Sequence, residues 1–239
     1  MGKISLPLVA RRRRGEVGWL CSRYMLLLSL IQSPLTFLAF VVALLLAITV
    51  HEYAHAWAAY KSGDDTAKLM GRLTLNPIAH LDPLGTLFLF LVGFGWGKPV
   101  PTNPMRYHSK SSEIYVALAG IVTNILVAFI LAIPIRIALL TGHTIDSSQV
   151  LSFLSIMVDI NLVLAAFNIL PVPPLDGSHI VEYFLDYRAK ITYQRIGPMI
   201  LFGIILLDRL SSYSILYAVM EPIIRFLSFL TKGTFSIFL

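Results

Sequence analysis

Residues 34–60 read PLTFLAFVVALLLAITVHEYAHAWAAY, and this stretch decides the architecture of the chain. The seventeen residues 34–50 contain no ionisable group, and they run directly into HEYAH at 51–55. A helix rises about 1.5 Å per residue, so the apolar run covers roughly 26 Å, most of the core of a bilayer. The two histidines and the glutamate are therefore predicted near one end of a membrane-spanning helix.

The composition of the whole chain is typical of a membrane protein. Of its 239 residues, 56% are hydrophobic and only 13% are charged, against about 25% charged residues in soluble domains. The mean hydropathy is +0.76, and apolar stretches recur almost to the last residue, so we expect one membrane domain with no appended soluble domain. The single cysteine, Cys21, leaves nitrogen and oxygen as the ligands for any metal.

The order of the apolar segments predicts an all-α polytopic membrane protein with about five to six transmembrane helices. The segment 84–97 is too short to cross as a straight helix, which needs roughly 20 residues, and is predicted to be re-entrant or interfacial. The other predicted segments are a weak first span within 17–32, spans at about 35–60, 113–140 and 148–171, a helix at 177–187, and apolar pieces at 198–207 and 213–230.

These segments divide the chain into three parts. We predict a basic N-terminus with a weak first span at 1–33, a core at 34–187, and a C-terminal membrane hairpin at 188–239. The net charge of +6 does not indicate a nucleic-acid partner, because Lys and Arg are enriched in the cytoplasmic loops of membrane proteins. The positive groups at 11–14, 61–72 and 188–195 place the HEYAH end of its helix on the cytoplasmic side.

The spacing within HEYAH suits a metal ion. His51 and His55 are four residues apart and share one helical face, while Glu52 points about 100° away, within reach of a water on the metal. Catalytic zinc sites usually take three protein ligands and keep a fourth position open. The alternative is a structural polar cluster of the kind that joins helices in membranes.

A third ligand is expected at similar depth on another span. Asp176 meets this condition, because the span at 148–171 returns to the cytoplasmic side and continues into NILPVPPLDG at 168–177. Its prolines break the helix, and broken backbone at membrane depth is tolerated only inside protein or beside a watery cavity. The alternatives are an exit loop in which Asp176 only caps a helix, and ligation by the nearby His179.

These motifs together resemble those of the site-2 protease family of intramembrane zinc metalloproteases. The resemblance covers roughly 35–187 and is closest to the compact bacterial and archaeal branch that lacks PDZ and CBS domains. Besides HEYAH and NILPVPPLDG, the similar segments are GRLTLNPIAHLDPLGTL at 71–87, GKPVPTNP at 97–104 and ALAGIVTNI at 117–125. One departure is Ile121, where family members often have proline.

The resemblance implies specific roles for six residues. It implies one catalytic zinc ion held by His51, His55 and Asp176, with Glu52 as the catalytic acid and base. Asn124 and Asn168 match family asparagines that are thought to position the substrate or stabilise the transition state. Among the remaining polar residues, His80 is expected to be structural or to support the ligands. Asp159 and Asn161 lie midway along a span and are expected to bond to other helices.

The implied function is that of an intramembrane zinc endopeptidase in a prokaryotic cell membrane. Such an enzyme hydrolyses a peptide bond within or near a locally unwound transmembrane segment of a membrane protein substrate. The segment 93–101 is a candidate edge for pairing with the unwound substrate, with a plain turn as the alternative. A metal transporter or metal sensor remains the alternative function, but transporters often show repeated halves, and this sequence shows one cluster and no repeat.

Overall fold

The computed structural model describes residues 33–92, 95–211 and 214–234, and these residues form helices joined by short loops. The α-helices are α1 (Pro34–Lys61), α2 (Thr66–Leu69), α3 (Pro83–Val92), α4 (Ser112–Leu140), α5 (Gln149–Asn168), α6 (Gly177–Phe184), α7 (Tyr187–Leu210) and α8 (Ile215–Lys232). Three 3₁₀ turns lie at Pro77–His80, Pro104–Arg106 and Ile145–Ser147. No strand occurs in the described part of the chain, so the all-α class is confirmed. The weak first span predicted within 17–32 lies outside it.

Four of the described helices are long and apolar enough to cross a membrane. They are α1, α4, α5 and the segment Tyr187–Asp208 of α7. This agrees with a polytopic membrane protein, whereas the count of five to six spans stays a prediction. The division of the chain at residues 33 and 187 stays a prediction too. Helix α8, from the predicted C-terminal part, packs against α4 and α5 of the predicted core.

The core consists of α1, α4 and α5, which pack against one another along their lengths. The buried face of α1 carries small side chains, and so do the facing surfaces of α4 and α5. Small residues allow helix backbones in a membrane to approach closely. The buried alanines and glycine are Ala39, Ala43, Ala47, Ala54, Ala56, Ala58 and Ala59 on α1, Ala117, Gly120, Ala128 and Ala132 on α4, and Ala165 and Ala166 on α5. This close packing brings the HEYAH segment against α4.

The segment between α2 and α4 is folded so that the residues before α3 pair with the residues that follow it. Helix α3 has only ten residues, and Leu81 before it forms an antiparallel bridge with Gly97 after it. The amide of Lys98 also donates to the carbonyl of His80 at 2.9 Å. Entry and exit are thus side by side, and the re-entrant or interfacial character of the segment stays a prediction.

Helix α7 begins earlier than the sequence analysis predicted. The Asp186 side chain accepts a hydrogen bond from the Ala189 amide at 2.7 Å and caps a helix that starts at Tyr187 and continues through Pro198. Helix α6 ends at Phe184, so it is three residues shorter than the helix predicted at 177–187. The basic residues at 188–195 form the first turns of α7, not a connecting loop.

Candidate active site

The imidazole rings of His51 and His55 lie side by side between α1 and α4. Both residues are buried, and their ring centroids are 4.6 Å apart in an edge-on arrangement. Gly120 of α4 makes this possible, because a Cβ atom there would lie 2.5 Å from Nε2 of His55 and 2.6 Å from Cε1 of His51. Gly120 was not identified from the sequence, although an isolated glycine within a predicted membrane helix was a signal.

Asn124 fixes the orientation and the tautomer of His51. The Asn124 amide nitrogen donates to the carbonyl of Ala47 at 3.1 Å and to Oδ1 of Asn161 at 2.9 Å. Its Oδ1 therefore faces Nδ1 of His51, 2.6 Å away, and must be the acceptor. Nδ1 of His51 carries the proton, so in the neutral ring Nε2 presents a lone pair.

His55 is held in the same way by a backbone carbonyl. Its Nδ1 lies 2.7 Å from the carbonyl oxygen of Val116 on α4. A carbonyl can only accept, so Nδ1 of His55 donates and Nε2 of the neutral ring is again a free acceptor. The two Nε2 atoms face each other at 3.0 Å, a separation at which they cannot both carry a proton.

Asp176 completes a triangle with these two nitrogens. Its Oδ2 lies 3.0 Å from Nε2 of His51 and 3.2 Å from Nε2 of His55. Asp176 stands at the N-cap position of α6 but makes no capping hydrogen bond, so it is not the ordinary helix cap considered above. The chain reaches this position because Gly177 passes close to α5: a Cβ atom there would lie 2.3 Å from the carbonyl oxygen of Ile169.

The three atoms fit a zinc ion. Oδ2 of Asp176 is buried without a hydrogen-bond donor, and it faces two nitrogens whose protons are on their far sides. Ligands about 2.0 to 2.2 Å from a tetrahedral zinc ion lie roughly 3.3 Å apart, close to the three separations observed here. Two nitrogens and one carboxylate oxygen form a ligand set typical of catalytic zinc.

Glu52 lies beside this cluster in an open cleft. Its Oε2 accepts a hydrogen bond from the backbone amide of Val100 at 2.8 Å. Glu52, Val100, His55 and Asp176 all line a cleft of about 240 Å³. Two of the three atoms of the triangle thus belong to residues that line a cleft with a half-buried carboxylate on its wall.

Part of the cleft lining is a polar cluster around Glu182, a residue that was not identified from the sequence. Glu182 of α6 is buried, and its Oε2 lies 3.4 Å from the Lys190 ammonium and accepts from the Gln194 amide at 2.9 Å. Lys190 also reaches Glu113 of α4 at 3.5 Å. These contacts tie α6, and with it Asp176, to α4 and α7.

The other polar residues considered from the sequence lie away from the triangle. Asn168 donates to the Leu164 carbonyl of its own helix at 3.0 Å, and neither it nor Asn124 lines the cleft. His179 lines the cleft, but its Nδ1 is 3.5 Å from Glu182 and it is not among the three clustered ligands. His80 is fully buried, with Nε2 2.8 Å from the Thr74 carbonyl oxygen, in a structural position.

Comparison with known proteins gives a consistent result. The family model described as Peptidase family M50 matches residues 39–138 and 131–207. "Putative zinc metalloprotease YwhC" of Bacillus subtilis (strain 168) is 42% identical over 191 residues, which are 75% of this chain and 85% of that protein. "Putative zinc metalloprotease Rip2" of Mycolicibacterium smegmatis is 27% identical over 181 residues, covering 74% and 67% of the two chains. No solved structure matches this chain significantly.

Proposed function

Because this chain belongs to peptidase family M50, the site-2 protease family of zinc metalloproteases, we propose that it cleaves membrane proteins within or near a locally unwound transmembrane segment. The observation that carries the proposal is the triangle of His51, His55 and Asp176, with Glu52 beside it in the same cleft. A protease of membrane proteins needs a hydrolytic site next to apolar helices, and this cleft opens between helices of a membrane bundle.

Membership of the family gives the enzyme class and the cofactor. The protein is a zinc metalloprotease embedded in a membrane, and zinc is its cofactor. When bound, zinc supplies Lewis-acid chemistry, polarising a peptide carbonyl and acidifying a water molecule. We propose that His51, His55 and Asp176 hold the ion. Asn124 would accept a hydrogen bond from Nδ1 of His51, which keeps the proton on Nδ1 and leaves Nε2 free for the metal.

Glu52 is the residue we propose as the catalytic acid and base. It would take a proton from the attacking water and pass it to the nitrogen of the leaving peptide. Its place supports this role, because it is half-buried and lines the cleft with two of the three ligands. Asn124 has both of its amide protons in use, so a direct contact with substrate is not favoured for it, and the substrate role of Asn168 stays a prediction.

The substrate would enter as an extended chain. The peptide bonds of a transmembrane helix are hidden by its own hydrogen bonds, so the helix must unwind before attack. In the candidate edge at 93–101, the amides of Lys98 and Val100 already have partners, and Pro99 and Pro101 have no N–H. Since the Lys98 carbonyl already accepts from Arg72, pairing with a substrate along 98–101 would rely on the carbonyl groups of residues 99–101.

The decisive experiment compares Glu52→Gln with wild type in proteoliposomes that contain a single-span substrate with a helix-breaking residue. Glutamine keeps the size of the side chain but cannot act as a base, so cleavage should fall about 10²- to 10⁴-fold while the zinc content stays unchanged. Glu221→Gln is the matched control, since Glu221 lies on α8 in a partly exposed ion pair with Arg225, outside the cleft, and cleavage should not change.

The same proteoliposomes test the alternative function. A metal transporter has no need of a base beside the ion, so its zinc flux would be nearly the same in wild type and Glu52→Gln. Wild-type cleavage that persists in the zinc-loaded Glu52→Gln variant would contradict the catalytic role of Glu52. Zinc flux without any cleavage would contradict the proposed function itself.

A further inference from the structure

The segment 97–104, GKPVPTNP, runs along α1 next to Glu52, and we refer to it as the strap. Gly97 passes so close to α1 that a Cβ atom there would lie 3.2 Å from Cγ2 of Ile48. Ile48 and Glu52 are four residues apart and share one face of α1. Three residues further along the strap, the amide of Val100 donates to Oε2 of Glu52 at 2.8 Å. The strap thus follows the face of α1 that carries Glu52.

Buried side chains anchor the strap on both sides of Val100. Before it, the Arg72 guanidinium donates to the carbonyl oxygen of Lys98 at 2.6 Å. After it, the amide of Asn103 donates to Oδ2 of Asp64 at 2.6 Å. Arg72 is 7% exposed and Asp64 is fully buried, so neither anchor is a mobile surface side chain. The Val100 amide is therefore held in place independently of its bond to Glu52.

The charge on the Asp64 anchor persists at neutral pH. Burial raises the pKa of the Asp64 carboxyl, but hydrogen bonds from Thr66 and Asn103 outweigh burial and hold that pKa below its usual value. Asp64 is thus a carboxylate that accepts strong, charge-assisted hydrogen bonds. The loop after α1 and the strap are thus joined by a charge-assisted hydrogen bond from the Asn103 amide to the Asp64 carboxylate.

Proline sets the direction of the Val100 amide. Pro99 and Pro101 flank Val100, have a fixed φ near −65° and carry no N–H. A residue that precedes proline is confined to extended backbone, which applies to both Lys98 and Val100. Between residues 99 and 101, Val100 supplies the single backbone donor, and it is directed at a carboxylate.

We propose that the backbone amide of Val100 positions the carboxylate of Glu52 for proton transfer. It fixes one oxygen, Oε2, so that the carboxylate does not rotate and the other oxygen can face the cleft. The proposal rests on the base role proposed above for Glu52. A displacement of about 1 Å in a catalytic group can cost roughly 100-fold in rate. A rigid donor that prevents such a displacement of the base should therefore raise the rate of cleavage. Val100 is a positioning residue and takes no part in the chemistry.

The test removes one hydrogen-bond donor, the backbone N–H of Val100, and leaves the valine side chain intact. The α-hydroxy analogue of valine, incorporated at position 100 by cell-free synthesis into nanodiscs, replaces the amide with an ester. We expect kcat to fall roughly 10- to 100-fold, with KM and zinc content unchanged. The matched control is the same replacement at Gly142, whose amide donates to the Leu139 carbonyl at 3.2 Å in the loop between α4 and α5 and should leave kcat unchanged. Val100→Pro, which also lacks the N–H, is a second and independent variant.

A second readout does not depend on cleavage. The carboxylate bands of Glu52 are identified as the infrared difference between wild type and Glu52→Gln, and they should shift in the ester variant. An unshifted band or an unchanged kcat overturns the inference, and so does a higher KM with normal kcat, which would make the strap a substrate edge only. If wild type itself cleaves nothing, the proposed function fails, and the infrared shift still reports whether Val100 holds the carboxylate.

Discussion

At the scale of single residues, the candidate site depends on space as much as on ligands. Gly120 is in the middle of α4, where alanine would ordinarily stabilise a helix by about 0.5 to 1 kcal/mol relative to glycine. The imidazoles of His51 and His55 occupy the space where its side chain would be. Helix propensity and the geometry of the site therefore predict opposite effects of substitution at this position.

We expect Gly120→Ala to weaken zinc binding about 10- to 100-fold, the range found when groups that orient metal ligands are changed. The added methyl group should push the imidazoles away from Asp176, because α4 also packs against α5 and α8 and these helices oppose its movement away from α1. Competition with a chelator measures the affinity. Gly203→Ala on α7 is the control, since nothing lies within 4 Å of a Cβ atom there. Equal zinc affinity in Gly120→Ala and wild type would contradict the role given to Gly120.

At the scale of elements, a buried ion pair joins α8 to α5. The ammonium of Lys232 lies 2.6 Å from Oδ1 of Asp159, and both side chains are completely buried. Lys232 also reaches Oγ of Ser155 at 3.4 Å. Asp159 was expected to bond to another helix, and its partner in the structure is the cation of Lys232 on α8. Such pairs are costly to bury, but removing one partner is costlier because the other charge stays behind.

We therefore expect Lys232→Met to destabilise the protein by about 3 to 5 kcal/mol. The double variant Lys232→Met/Asp159→Leu should recover most of this loss, because it leaves no charge unpaired. The free energy of unfolding can be measured by titration with SDS in mixed micelles. Arg225→Met provides the comparison, since its pair with Glu221 is partly exposed and should contribute less than the buried pair. A double variant as unstable as Lys232→Met would show that the pair is not what holds α8.

At the scale of the whole molecule, positive charge is concentrated at the end of the bundle that carries the site. The loops and helix ends there include Lys61, Lys68, Arg72, Lys98, Arg106, Lys110 and Arg188. The connection between α4 and α5 at 141–148 contains no Lys or Arg, and it is at the opposite end because α4 is 29 residues long. This asymmetry is the basis for proposing that the site faces the cytoplasm of a cell membrane.

We expect cysteines at the two ends to be labelled from opposite sides of the membrane. In a Cys21→Ser background, Lys68→Cys should react with an impermeant maleimide only in inverted vesicles. His143→Cys, at an exposed position between α4 and α5, should react only in intact cells. Labelling of both from the same side would contradict the proposed orientation, and the reverse pattern would place the site on the outer face.

The sequence predicted the helical spans closely where apolar runs are long. The predicted spans at 35–60 and 113–140 differ by one residue or less at each end from α1 and α4. The C-terminal helices were predicted less well, because capping by Asp186 and packing of α8 on the core allow charged residues within helices. A local hydropathy pattern does not contain that information.

The sequence by itself determined the class of protein and the helix that carries HEYAH, because composition and periodicity are local properties of the chain, and its motifs resembled those of one known family. Only the tertiary structure decided how distant residues act together. It showed that Asn124 and Val116 fix the protons of the two imidazoles, that Gly120 gives the rings their space, and that the Val100 amide meets Glu52. Each of these contacts joins segments more than forty residues apart, and only helix packing brings them within bonding distance.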